Sequence, residues 1–196
     1  MTAPYEPVPS RNRDLVTLAT LALAILATRF EHFGPGYALP DATLAAFFVA
    51  GFQLASAWAM LPLFAAAAVA DQLAFANGVS DACMTPAYAF LVPTCATLWS
   101  AGRRCRSLAR NAMWWPRVLA TLAAASVVAW FISSGSFYAF SGRYAQLPAA
   151  DYLAATLPYL APYAGWTTVY GALGLVAVRI SGLQARRRAT AGASLS

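Results

Sequence analysis

What most constrains this chain is the spacing of its apolar runs against its arginines. Six stretches are nearly free of charge: residues 15–28, 42–58, 60–75, 86–101, 117–133 and 152–180. Each is close to or above the shortest length that crosses a bilayer, for which a helix needs ~20 residues. A single helix over 42–75 would be too long for one crossing, so a turn near Pro62 divides it into two. All thirteen basic residues are arginine, and eleven fall in three groups beside these runs. The groups are Arg11 and Arg13; Arg103, Arg104, Arg106, Arg110 and Arg117; and Arg179, Arg186, Arg187 and Arg188. Arginine beside an apolar span marks the cytoplasmic side. Six alternating spans with both termini cytoplasmic satisfy all three groups at once. Five of the seven acids (Glu31, Asp41, Asp71, Asp81 and Asp151) then fall on or near the outer side, with only Arg29 and Arg143 as basic company.

Composition supports lipid as the solvent. Over 196 residues the chain is 60% hydrophobic and 10% charged, with mean hydropathy +0.57, against about 25% charged in soluble domains. The expected fold class is an all-α membrane protein: six transmembrane helices in one domain over 1–196, in the bacterial inner (cytoplasmic) membrane. Residues 1–13 form a cytoplasmic segment and 183–196 a cytoplasmic, disordered tail. The net charge of +6 would also suit nucleic acid, but the Arg103–Arg117 loop has few polar or stacking partners beyond Trp114 and Trp115, so no nucleic acid is expected. The run after Arg11 and Arg13 has the form of a secretory signal and is read as the first span.

Local signals refine the spans. Thr85 can cap the fourth helix and Pro86 suits its first position. Pro93 is expected to kink that helix midway, and Pro158 and Pro162 to kink the sixth. Thr20, Ala24 and Thr28 make a stripe of small residues on the first span, serving either internal packing or docking of a partner.

No soluble-enzyme motif is present, and a single histidine, His32, excludes an HExxH zinc site. Three cysteines are informative. Cys95 falls mid-membrane and Cys105 in the cytoplasmic loop, and both read as inert. Cys83 falls on the outer side with no partner within disulfide reach. It is either a buried, inert thiol or a soft ligand for a metal that arrives already held in an organic ring. His32, Asp71, Tyr88 and Arg143 fall on the same side, Arg143 amid Phe137, Tyr138, Phe140 and Tyr144. Ionisable groups at membrane depth are costly and mark candidate sites. They either pair, Asp71 or Asp81 with Arg143 or Arg29, or line a cavity for a large amphipathic ligand.

Six short helices with cytoplasmic ends and an outward pocket resemble the S-components of energy-coupling-factor vitamin transporters. More specifically, His32, Asp71 and the segment Asp81-Ala-Cys-Met-Thr-Pro-Ala-Tyr88 resemble the BtuM family of solitary vitamin B12 transporters. That resemblance implies an S-component-like bundle that binds cobalamin from the periplasm. Cys83 would be the axial ligand of cobalt, and His32, Asp71, Tyr88 and Arg143 would hold the corrin amides or the nucleotide tail. It also implies a side activity, decyanation, in which electron density from the Cys83 thiolate loosens an upper-face cyanide. Thr20 and Thr28 depart from the Ala-x-x-x-Ala form used to dock a coupling subunit, which fits a transporter working alone. The alternative is an S-component for another vitamin or a metal, dependent on an energy-coupling module.

Overall fold

The computed structural model describes residues 11–31, 39–54, 56–78, 84–108 and 114–193, with 30, 31 and 182–193 as backbone only. The regular structure of the described residues is all helix, with no strand among them. The helices are α1 (Arg11–Glu31), α2 (Thr43–Gln53), α3 (Met60–Ala76), α4 (Leu91–Leu108), α5 (Trp114–Phe140), α6 (Ala149–Thr156) and α7 (Leu160–Ala193). Single 3-10 turns at Ala57–Ala59, Pro86–Phe90 and Leu157–Tyr159 lead into α3, α4 and α7.

α2 is the axis of the bundle. Every residue from Thr43 to Phe52 is buried, and α2 packs on α1, α4 and α7. Two glycines let α2 and α4 lie side by side. A Cβ on Gly51 would overlap the Trp99 carbonyl, and one on Gly102 would overlap the Phe48 carbonyl, so the two backbones touch without side chains between them. At eleven residues, α2 spans about 16 Å, half a hydrocarbon core, where a full span over 42–58 was expected. It ends because Leu54 is extended (φ −92°, ψ 129°). The freed carbonyls are met from α4: Arg106 donates from Nε to Phe52 O at 2.7 Å, from a terminal nitrogen to Gly51 O at 3.0 Å, and also to Leu54 O. Those bonds answer the unpaired C=O groups of a helix end.

Of the prolines expected to kink helices, Pro93 and Pro162 start them instead and Pro158 lies in the turn between α6 and α7, while Pro62, expected at the turn between two spans, also falls at a helix start. Pro62, Pro93 and Pro162 each lie in the first turn of α3, α4 and α7, where the missing N–H costs nothing. Thr85 precedes the Pro86 turn, but its side chain makes no capping bond. The sixth apolar stretch accordingly divides into α6, the Leu157–Tyr159 turn and α7. The backbone of α7 is helical to Ala193, through most of the tail read as disordered.

Among the described residues, two helical stretches are long and apolar enough to cross a membrane: Ala57–Ala76 (20 residues) and Trp114–Phe140 (27 residues). The outer surface of the bundle is apolar beyond them. Leu15, Val16 and Leu23 on α1, Leu61, Val69 and Leu73 on α3, Val128 and Phe131 on α5, and Leu173, Val176 and Ile180 on α7 are all exposed. In the small-residue stripe of α1, Thr28 faces inward. It is buried, donates to Ala24 O at 2.8 Å and accepts from the Ala42 N–H at 3.0 Å.

Candidate functional site

A cavity of about 660 Å³ opens at one end of the bundle. Its wall takes the last turn of α1, the first of α2, the last of α3, the Pro86 turn and start of α4, the second half of α5, and the start of α7. The arginine-bearing ends of the helices lie at the other end. There Arg106 meets the end of α2, Trp114 stacks on Phe52 at 6.4 Å and Arg179 lies over the Trp114 ring at 5.4 Å.

One ionic cluster ties three helices together at the cavity wall. Arg29, the last basic residue of α1, makes a two-pronged pair with Asp71 of α3: Nε to Oδ1 at 2.6 Å and a terminal nitrogen to Oδ2 at 3.0 Å. Its other arm reaches Asp41, just before α2, at 2.8 Å. Tyr88 donates its hydroxyl to Asp71 Oδ2. Asp41 Oδ1 in turn accepts the Thr43 N–H at 2.8 Å and the Thr43 hydroxyl at 2.5 Å, a side-chain cap on the start of α2. Asp71 is only 4% exposed and Arg29 12%. A carboxylate so enclosed needs its counter-charge, since burying it unpaired would be far more costly. The planar fork of arginine suits this geometry, because it meets one carboxylate with two parallel bonds and a second with its remaining arm.

The rest of the wall is aromatic and hydroxylic. Trp130, Phe137, Tyr163 and Trp166 supply apolar faces. Tyr152 closes one side: its hydroxyl donates to Ser134 O at 2.9 Å, and its ring packs against Tyr138 and Tyr144 at 4.9 and 4.8 Å. The 141–147 loop is thereby held to α5 and α6.

Of the sequence-derived site residues, Asp71 and Tyr88 are brought together in the cavity wall. Arg143 is exposed in the 141–147 loop, outside the lining; its backbone N–H donates to Ser141 Oγ at 3.3 Å. Asp71 therefore pairs with Arg29 and not with Arg143. His32, Asp81 and Cys83 lie outside the described residues, but Met84, the residue after Cys83, lines the cavity. Cys95 and Cys105 are free and fully buried. Among the described residues no group of three or more histidines, cysteines or acids could hold a metal ion. Sequence reading treated Arg29 and Asp41 only as loop-pairing or boundary charges. The signal for them was present: a lone arginine ends an apolar run on the acid-rich side of the chain. The chain matches no protein-family model and no curated protein.

Proposed function

We propose that the protein is a multi-pass inner-membrane transporter that takes up cobalamin from the periplasm. Both termini are cytoplasmic on this reading, and Cys83 is the axial ligand of cobalt. The observation that carries the reading is the cavity at the arginine-poor end of the bundle, with Asp71 and Tyr88 joined in its wall and Met84 lining it. Apolar residues exposed on α1, α3, α5 and α7 favour lipid around the whole bundle, because soluble monomers seldom expose contiguous apolar surface on this scale. α1, α4 and α7 add three crossings to those of α3 and α5, and the short α2, which runs from the cavity to Arg106, makes the sixth. A single thiolate cannot build a closed metal site, but it can complete a cobalt already held by a corrin. A cobalamin exceeds 660 Å³, so the cavity seats one edge of it.

The same volume lies in the range of ordinary small-molecule pockets, and that favours a second reading: an S-component-like binder of a smaller vitamin, enclosed whole. The absorption spectrum of the purified protein with cobalamin separates the two. Thiolate ligation shifts the corrin bands in the wild type, and Cys83→Ala abolishes the shift and impairs uptake. A Cys83→Ala protein that keeps both the shifted spectrum and full uptake overturns the cobalt assignment. A wild-type protein that stays colourless after growth with cobalamin favours the smaller vitamin.

A further inference from the structure

We propose that this cavity selects ligands edged with amide or ammonium N–H groups and rejects carboxylates, an inference that rests on its being the binding site described above. The argument is a count of donors and acceptors. Among the described lining residues the charged groups are Arg29, Asp41 and Asp71, one cation against two carboxylates. Each of the three nitrogens of Arg29 already donates to a carboxylate, which uses three of its five N–H groups, and with its side chain 12% exposed the one cation lies between its counter-charges. Asp41 is the more open of the two acids, with 26% of its side chain exposed against 4% for Asp71. It uses three of about four lone-pair sites, which leaves one for a ligand.

The hydroxyls tilt the same way. Tyr88 gives its proton to Asp71 and Thr43 gives its own to Asp41. Thr94 donates to Phe90 O at 2.7 Å, Thr167 to Tyr163 O at 2.8 Å and Ser136 to Ser133 O at 2.8 Å. A hydroxyl that has spent its proton on the protein keeps only lone pairs for a ligand. Ser133, Tyr159 and Tyr163 also line the cavity with hydroxyls that can serve as donor or acceptor, and Trp130 and Trp166 line it with indole N–H groups that can only donate to a neutral carbonyl or other acceptor. A primary amide matches this wall on both sides: its N–H groups meet the spent hydroxyls and Asp41, and its carbonyl meets the free ones. A carboxylate offers lone pairs to lone pairs and approaches a net negative charge, leaving acceptors unmet and desolvated.

The test uses two matched pairs on the purified full-length protein. One pair is cyanocobalamin against its separated monocarboxylates, each with one peripheral amide hydrolysed to the acid. The other is benzamide against benzoate, small enough to enter whichever vitamin is carried. The expected result is at least ~10-fold weaker binding for the least favoured monocarboxylate and for benzoate, the scale of one unmet buried hydrogen bond. In Asp41→Asn, checked for folding by its thermal midpoint, that penalty shrinks several-fold. Carboxylates bound as well as amides would overturn the proposal, as would failure of both pairs to bind. Loss of corrinoid binding with benzamide still preferred over benzoate leaves the selectivity standing and removes cobalamin as the substrate.

Discussion

Arg29 joins three helices at the cavity wall, and removing it separates two effects. Arg29→Ala leaves Asp71 enclosed opposite Asp41 with no cation between them, and stranding one partner of a buried pair costs about 3–5 kcal/mol. Thermal unfolding in detergent should show a large drop in midpoint. The double variant Arg29→Ala with Asp71→Ala should lose much less than the sum of the two single variants, because it no longer buries an uncompensated charge. Tyr88→Phe removes one hydrogen bond to a carboxylate and should cost about 1.5–3 kcal/mol, a smaller loss than Arg29→Ala. Equal losses for Tyr88→Phe and Arg29→Ala would mean that the ion pair contributes nothing beyond the phenol contact. Asp71 and Tyr88 were legible in the sequence because an acid closing an apolar run, and a tyrosine after a proline turn, stand out against their surroundings. Arg29 with Asp71 was one of the pairings the sequence offered; which of them forms, and that Asp41 joins it, were not legible, because pairing is a fact of three-dimensional proximity and the chain offered several arginines and acids with equal claim. Arg143 is the opposite case: the aromatic residues around it do form a packed cluster, through Tyr138, Tyr144 and Tyr152, but the arginine itself is exposed and not among the residues lining the cavity.

At the scale of the helices, the α2–α4 seam bears most on how the cavity is held open. Both helices start at the cavity and end at Arg106, so their separation sets the width of the wall carrying Thr43 and Thr94. Gly102→Ala would drive a methyl into the Phe48 carbonyl. Backbone has no rotamer with which to yield, so the helices must part, at about 1–3 kcal/mol. Gly135→Ala is the control, since a Cβ there meets nothing within 4 Å and alanine is the better helix former. Gly102→Ala should lower the thermal midpoint, and Gly135→Ala should hold or raise it. Equal midpoints for the two would show that the seam is not close-packed. Six apolar stretches were legible because their hydropathy averages over many residues. The break in the sixth stretch was signalled by Pro158, though as a kink, whereas the end of α2 was not, because Leu54 is as apolar as its neighbours. A buried break needs no polar punctuation when an arginine from another helix satisfies its carbonyls, as Arg106 does for α2.

Across the whole molecule, charge and cavity are segregated to opposite ends, and this makes the topology testable residue by residue. Arg13 and Arg29 lie sixteen residues apart on α1, about 24 Å along its axis, most of a hydrocarbon core. Arg13 lies at the end shared with Arg103 and Arg179. Arg29 lies at the cavity, where Asp41 and Asp71 neutralise it, so it adds no free positive charge to the side proposed as periplasmic. Arg143, exposed in the 141–147 loop, adds one positive charge on that side, so the positive-inside bias acts mainly through the arginine groups at the far end. An impermeant maleimide applied to intact cells should label Cys83. Cys95 and Cys105 should stay unlabelled even after permeabilisation, because both thiols are fully buried. In a background lacking Cys83, a cysteine placed by Ala145→Cys, exposed in the loop beside the cavity, should react in intact cells. One placed by Ser107→Cys, exposed at the arginine end of α4, should react only once the membrane is opened. The reverse pattern would turn the cavity to the cytoplasm and exclude uptake from the periplasm through it. Labelling of both positions in intact cells would mean that the bundle does not span the membrane, whatever the cavity binds.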